Sequence, residues 1–509
     1  MGWLLLGIDI GSYSSKGVLC RTDGGIIAET RVPHGISFPK PGYAEHDAEK
    51  IWWGDFVTIT KTLLEKVPPG EKIASVGVSG VGACVLPVDR YDKPLRPAIL
   101  YGIDARTTTQ IEYLENIYSR EALTVFGGAR LSSQSAGPKI LWIKQNEPDI
   151  YRQAEKFITS TTYIIHKLTG FYVIDRHAAS YFNPLLNIRS LEWDTKFASE
   201  IVEINKLPNL GWSDKIAGEV NATAAKETGI PESTLVTYGA LDGLAEGISV
   251  GIINPGDIMI MYGSTTGFYL PVKNPLPTNE LWMVAGALKG HYAFAGGLAT
   301  SGTATTWFRD QFGLDLLGEE VKNGPNAYAA LAAEAALSPP GANGLLMLPY
   351  LSGERTPLFD TKARGIFAGF SLSHTRGDMY RALLEGTAHA IRSNLDAMRK
   401  TGAEIDHVIA VGGGVSNQLW LQIVSDVYGI SQVVPEKTIG ACYGDAFMAG
   451  LAIGVVGGLY ALKRNWVKVS KKITPDARKK ARYDQYYQLF MDLYTQSKEV
   501  IHRLADLQG

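Results

Sequence analysis

The stretch GIDIGSYSSKG, residues 7–17, ends an apolar strand on an acid and follows it with glycine and hydroxyl residues leading to Lys16. Such a turn exposes backbone N–H groups and the hydroxyls of Ser12, Ser14 and Ser15 beside Gly11, a set that can hold phosphate oxygens. Lys16 can neutralise them, and Asp9 can hold a hydrated magnesium ion. A hairpin of the same composition that binds nothing is the alternative. It is not a Walker loop, because no Gly-Lys-Ser/Thr ending occurs in the chain. GSTTG, residues 263–267, is a matching turn built from Gly263, Ser264, Thr265 and Thr266; two such turns facing each other can clamp a triphosphate. In VGGGVSN, residues 411–417, the glycines Gly412, Gly413 and Gly414 let a flat ring approach the backbone, with a plain tight turn as the other reading. One more carboxylate stands out: Asp242, alone among small apolar residues in GALDGLAEG. Taken by itself, an Asp before Gly in such a segment is a turn or helix-cap residue.

The elements that must position these residues alternate strands with helices. LLLGIDI and GVLCRTDGGIIAET read as an antiparallel meander, helical patterns run from Ala48 to Lys66, and IASVGVSG is a buried strand. After Asn254-Pro255-Gly256, DIMIMYGSTTGFYL repeats the opening scheme of strand, turn and strand. A repeat at half the chain length implies two related α/β domains facing each other across a cleft, the second containing both VGGGVSNQLWLQIVSDVYG and GACYGDAFMAG. In the tail, Thr474 is expected to cap a helix with Pro475 at its first position. Tyr483, Tyr487, Phe490, Met491 and Tyr494 then mark its buried face, or alternatively a contact in a homodimer.

Composition narrows the partners. A chain of 509 residues with 45% hydrophobic residues is large enough for several cores, and a net charge of -2 offers no electrostatic footprint for nucleic acid or an anionic membrane. Three cysteines, Cys20, Cys84 and Cys442, without metal-ligand spacing point to buried thiols and a cytoplasmic protein. The opening MGWLLLGID fits neither a signal peptide nor a myristoylation site. The uncharged run Ala446 to Leu462 is interrupted by glycines and reads as a buried helix ending in a glycine turn, so no membrane association is expected.

These stretches, together with GYAEHDAEKIWW, PKILWIKQNEPDIY, LPYLSGERTP and ARGIFAGFSLSHTRGDMYRALLEG, resemble the FGGY carbohydrate kinases of the actin-like ATPase superfamily, and LPYLSGERTP and SHTR resemble the xylulokinase branch. The resemblance implies two actin-like (ribonuclease H-like) α/β domains with an interdomain cleft. Residues 1–250 would bind sugar and carry the first phosphate loop and catalytic Asp; 251–460 would carry the second phosphate loop and adenosine site; 461–509 would be an extension. It further implies ATP and Mg2+ as cofactors, Asp9 as the magnesium-associated acid, Gly412 to Gly414 and Asn417 as the adenosine segment, and Asp242 as catalytic base. The acceptor would be a small ketose or polyol, xylulose-like, with ribulose, erythritol or glycerol types as alternatives. A nucleotide-gated actin-like or chaperone-like protein is the reading from a different class.

The substrate side departs from the resemblance. Where xylulokinases carry Gln-Met-His-Gly and glycerol kinases Asn-Gln-Arg-Glu, this chain has Val81-Gly82-Ala83-Cys84, and AILYGIDART replaces Trp-Asn-Asp-Gly-Arg. Gly82, Ala83 and Tyr101 are therefore candidate walls of the sugar site. Asp104 is either a hydroxyl acceptor there or the partner of Arg106. Gly243 stands where the family places an Asn beside the sugar. Trp307 and Phe308 are either cleft-wall or core aromatics, and Glu354-Arg355 reads as an ion pair that fixes its loop.

Overall fold

The computed structural model describes residues 2–508. Its chain forms two compact units, one from Met1–Pro255, Pro271–Ala293 and Lys437–Lys468, the other from Gly256–Leu270, Phe294–Glu436 and Val469–Gly509.

In the first unit the strands are β1 (Trp3–Ile10), β2 (Ser14–Arg21), β3 (Ile26–Pro33), β4 (Lys72–Gly80), β5 (Ile216–Glu219), β6 (Leu235–Thr237) and β7 (Ala240–Leu241). They lie in the order β5-β6-β4-β1-β2-β3, with β7 also paired to β4. The first three form the antiparallel meander expected from their Gly/Ser and Asp-Gly-Gly turns. β1, β4 and β7 are parallel, so their carboxyl ends meet: Asp9 pairs with Ser79, and Ala240 and Leu241 with Ser79 and Gly80. That edge is where open α/β sheets place their ligands.

The two faces of this sheet are covered differently. Ile8, Ile10, Val76 and Val78 enter a core with Trp52, Phe56, Ile59, Tyr163 and Ile164. On the opposite face lies the Ala441–Ala452 helix. It packs so closely that a Cβ on Gly7 would stand 1.9 Å from the Cys442 carbonyl and one on Gly77 2.1 Å from that of Asp445. Ser75 Oγ also donates to the Ala449 carbonyl at 2.9 Å. GACYGDAFMAG thus folds with the first unit and not, as the order of the chain suggests, with the second. The cause is this bare glycine pair, which accepts a helix backbone directly. The helix stops at Ala452, Gly454, Gly457 and Gly458 have positive φ, and no helix among the described residues is long and apolar enough to cross a membrane.

The second unit repeats the first unit's core connection. Its strands β8 (Asp257–Tyr262), β9 (Thr266–Val272), β10 (Tyr292–Leu298), β11 (His407–Val411), β12 (Gln432–Pro435) and β13 (Val469–Ile473) run in the order β10-β9-β8-β11-β12-β13. β8 is antiparallel to β9 and parallel to β11, as β1 is to β2 and β4. The last helix, Ala477–Leu507, begins later than its sequence suggests: Asp476, not Thr474, is the cap, accepting the Arg478 N–H. Its carboxylate reaches that amide, and Pro475 stays outside the helix. Tyr483, Phe490 and Tyr494 are buried, and Tyr350 and His389 pack on them, which makes this face core.

Candidate functional site

Asp9, at the end of β1, is the centre of a carboxylate cluster in the first unit. Burial pushes it up to about 6, while a Ser79 hydrogen bond and the nearby Lys16 and His34 act in the other direction. Asp242 opens the Asp242–Ser249 helix directly after β7, and its Oδ1 accepts the Gly243 N–H at 2.8 Å. Burial, then the charges of Asp9 and Glu246, push its carboxyl up to about 7. One helical turn on, Glu246 is likewise pushed up to about 7 by burial and Asp9. Asp445, on the helix that covers Gly77, is buried and pushed well above the carboxylate range by burial. The cation in this group is Lys16, which with Glu246 converges on Gly440: a Cβ there would stand 3.4 Å from Lys16 Nζ and 3.6 Å from Glu246 Oε2. Crowded acids sharing one lysine favour a proton or a cation in their midst.

The first turn is held by side chains behind it. Gly11 is required, since a Cβ would sit 2.7 Å from the Ser14 carbonyl. His34 joins the Gly11 carbonyl (3.0 Å) to Asp55 (2.7 Å). Ser15 differs from its expected role: it is buried and donates its hydroxyl to Asp55 at 2.8 Å, so its side chain braces the turn and does not face a ligand. Ser14 is buried beside it, and Ser12 Oγ lies 3.0 Å from the Tyr101 hydroxyl.

Tyr101 ties that turn to the candidate sugar wall. A Cβ on Gly82 would touch the Tyr101 side chain at 3.5 Å, and one on Gly102 would collide with Gln134 Nε2 at 2.3 Å, so Gln134 lies against the Tyr101 segment. Ala83 is buried there. Gln134 also lines a recess with Arg130, Ser132, Tyr181 and Asn183. The Tyr181 phenol is pushed up by burial and by the charge of Asp242, which sets the recess near that carboxylate. Its loop is anchored by the buried Lys139, which donates to the carbonyls of Ser133 and Ser135 and whose ammonium burial pulls down to about 8. Asp104 has no exposed surface. Its oxygens are taken by Arg106 and by the Ala44 N–H, so of its two readings the structural pair is the one present. Cys84 is buried with its thiol pushed up to about 11, an inert filler. A side chain at Gly243 would meet nothing within 4 Å.

The second unit carries the other two glycine segments. In the GSTTG turn Gly263 N–H donates to the Thr265 carbonyl at 3.0 Å. The first amides of the Gly302–Phe312 helix donate to the Gly263 and Ser264 carbonyls, and Thr266 donates its hydroxyl to Ser301 at 2.7 Å. Of the glycines after β11, Gly412 has φ +93° and Gly414 is pressed against Tyr262 and Trp420, whereas Gly413 faces open space. Asn417 caps the Gln418–Tyr428 helix through the Trp420 N–H. Phe308 is core against Tyr380, while Trp307 is 36% exposed. Glu354 makes no ion pair with Arg355 among the described residues. It accepts the backbone N–H groups of Ala299 and Arg355, both at 2.7 Å, and burial pushes it up to about 8.

Sequence reasoning missed Ser79, Gln134, Glu246 and Asp445. Of these, Glu246 had a signal, its four-residue spacing from Asp242 on one helix face.

Comparison with known proteins supplies the context. Models of the N-terminal and C-terminal domains of the FGGY family of carbohydrate kinases match residues 4–248 and 258–453. The chain is 28% identical to a xylulose kinase of Lactococcus lactis (99% of this chain, 98% of that protein) and 27% identical to a gluconokinase of Bacillus subtilis (99% and 98%). The crystal structure of xylulose kinase from Rhodospirillum rubrum superposes with a TM-score of 0.92 at 28% identity, over 98% of this chain and 100% of that one. Two matched domain models, a shared two-unit fold and full-length similarity lead to one conclusion: the chain belongs to the FGGY family of carbohydrate kinases and is an ATP-dependent phosphotransferase with an alcohol group as acceptor.

Proposed function

We propose that this kinase phosphorylates a hydroxyl of a small open-chain ketose or related polyol, xylulose-like, with Asp242 as the base. The observation that carries this reading is the state of Asp242: a carboxyl pushed up to about 7 by burial and by Asp9 and Glu246, at the carboxyl end of the sheet. A base poised near neutral pH accepts the hydroxyl proton most effectively. Lys16 and the amides around Gly11 and Ser12 neutralise phosphate oxygens, and the Gly263–Thr266 turn supplies further donors. Gly412 to Gly414 and Asn417 form the adenosine segment, with Gly413 leaving open space for a ring.

Among the described residues no three His, Cys, Asp or Glu side chains form a metal centre. Magnesium needs only one or two carboxylates besides phosphate and water, and Asp9 fits that requirement. When bound, the ion offsets phosphate charge during transfer. In this reading residues 1–250 hold the sugar, the first phosphate turn and the base; 251–460 hold the second turn and adenosine; 461–509 form an extension whose helix is core. A cytoplasmic site of action accords with three free, buried cysteines.

The acceptor follows from relatives and from the wall. Xylulose kinases and a gluconokinase are comparably similar, while Gly82, Tyr101, Gln134 and the open Gly243 set a different lining from the Gln-Met-His-Gly pattern. The test is an ADP-release assay over ketoses, aldoses, aldonates and polyols, with product identification. Strong stimulation by a five-carbon ketose is expected; preferential turnover of another class would overturn the xylulose-like assignment.

A further inference from the structure

Ser79 stands between two carboxylates. Its Oγ lies 3.1 Å from Asp9 Oδ1 and 2.6 Å from Asp445 Oδ2. A hydroxyl has one proton to donate. With both acids ionised, one of these contacts would set two oxygens together without a proton, so one carboxyl must bring its own.

The surroundings decide which. Asp445 is 2% exposed and sits mid-helix on the Gly77 backbone, which leaves no room for water on that side. No ion pair to it occurs among the described residues, and the charged groups that face it, Asp9 from β1 and Asp242 from the neighbouring helix, are both acids; only the Ser79 hydroxyl and N–H act the other way, and burial outweighs them. Cys442, on its own helix, is a buried thiol. Asp9 differs: Lys16 from β2 and His34, just after β3, both favour its charge.

We propose that Asp445 is held as a neutral carboxylic acid that donates to Ser79 Oγ, and that Ser79 in turn donates to Asp9 Oδ1, making Ser79 and Asp445 positioning residues that fix the orientation of Asp9. The inference rests on the role given above to Asp9. Removing a partner that orients a functional carboxylate costs about ten- to a hundredfold in activity.

The direct test uses the unmodified enzyme. With 13C-labelled aspartate, an infrared carboxylic-acid C=O band should persist above about pH 8, where Asp9, Asp175 and Asp242 have ionised, and should vanish in Asp445→Asn. Absence of the band in the wild type overturns the inference, whatever the variants do. In steady state, Asp445→Asn, which keeps a donor without adding charge, should lose less kcat than Asp445→Ala, in which loss of the donor should cost as much as Ser79→Ala. Ser79→Ala should lose about ten- to a hundredfold in kcat with the sugar KM unchanged. An Asp445→Asn enzyme whose acid limb or magnesium requirement shifts would show that Asp445 is charged. A Ser79→Ala enzyme with an unaltered kcat would show that Ser79 positions nothing. Because the band reads the Asp445 proton without turnover, its result is independent of whether Asp242 proves to be the base.

Discussion

The turns GSYSSKG and GSTTG occupy equivalent places on similar strand pairs, yet they are built to different ends. The first is flanked by Asp9 and Lys16 and braced by side chains: Asp55 on Ser15, His34 on Gly11, Tyr101 beside Ser12. The second has no charged residue and is braced by backbone, with the first amides of the Gly302–Phe312 helix bonded to its carbonyls. One scaffold thus gives a charged turn braced by side chains and a neutral turn braced mainly by the backbone of a following helix. The difference teaches that the charged groups lie at the first unit's turn, while the second unit's turn offers neutral donors alone.

The strongest way to break that asymmetry is Asp242→Ala. Loss of a positioned base should lower kcat by about 10²–10⁴ while ATP binding, measured by calorimetry, stays nearly unchanged; comparable turnover would place the base elsewhere. Next comes Lys16→Met. A hydrogen bond to a charged group is worth about 1.5–3 kcal/mol, so kcat/KM for ATP should fall about ten- to a hundredfold, more at low salt than at high. The matching change in the neutral turn, Thr265→Val, should cost only about two- to tenfold with little salt dependence, since a neutral bond contributes about 0.5–1.5 kcal/mol. Equal losses from the two would dissolve the contrast.

Smaller effects sharpen it. Gly243→Asn places an amide in open space beside the base, and should change the ratio of kcat/KM between two sugars by about tenfold or less without altering the fold. The carboxylate cluster also has a stability signature. Asp242 and Glu246 titrate near 7 instead of near their ordinary 3.8 and 4.5. The folded chain then holds these protons more tightly than the unfolded one, so this contribution is complete below about pH 4 and is lost as pH rises through about 7. In ligand-free protein the Tm of Asp242→Asn relative to wild type should rise across that window, by a few degrees at most. A pH-independent difference would mean that Asp242 is not perturbed.

Much of this was legible in the sequence. The apolar strands, their Gly/Ser turns and the recurrence of strand-turn-strand at Asp257 are local patterns, and local patterns fix local structure. The family membership suggested by those motifs also decides against a nucleotide-gated protein without sugar chemistry. What stayed hidden was set by distant segments. Nothing near GACYGDAFMAG says that its helix crosses back to β1 and β4, so Asp445 could not be joined to Asp9. Ser15 looked like a phosphate ligand because Asp55 lies far along the chain, and Asp104 could be assigned to Arg106 only once Arg106 was seen to hold both its oxygens, with the Ala44 N–H sharing Oδ2. Within the second turn, Thr266 likewise belongs to Ser301.

The glycine pair at Gly7 and Gly77 has a consequence for biosynthesis. β1 is covered by a helix that is made long after it, so the Gly7 and Gly77 face of the first sheet lacks this cover while the intervening chain is synthesised. The close cover over Gly7 and Gly77 is completed only when the Ala441–Ala452 helix arrives. A nascent chain stalled before that helix would carry the first turn and Asp242 but present a bare glycine groove, the kind of exposed surface that chaperones and neighbouring chains find first.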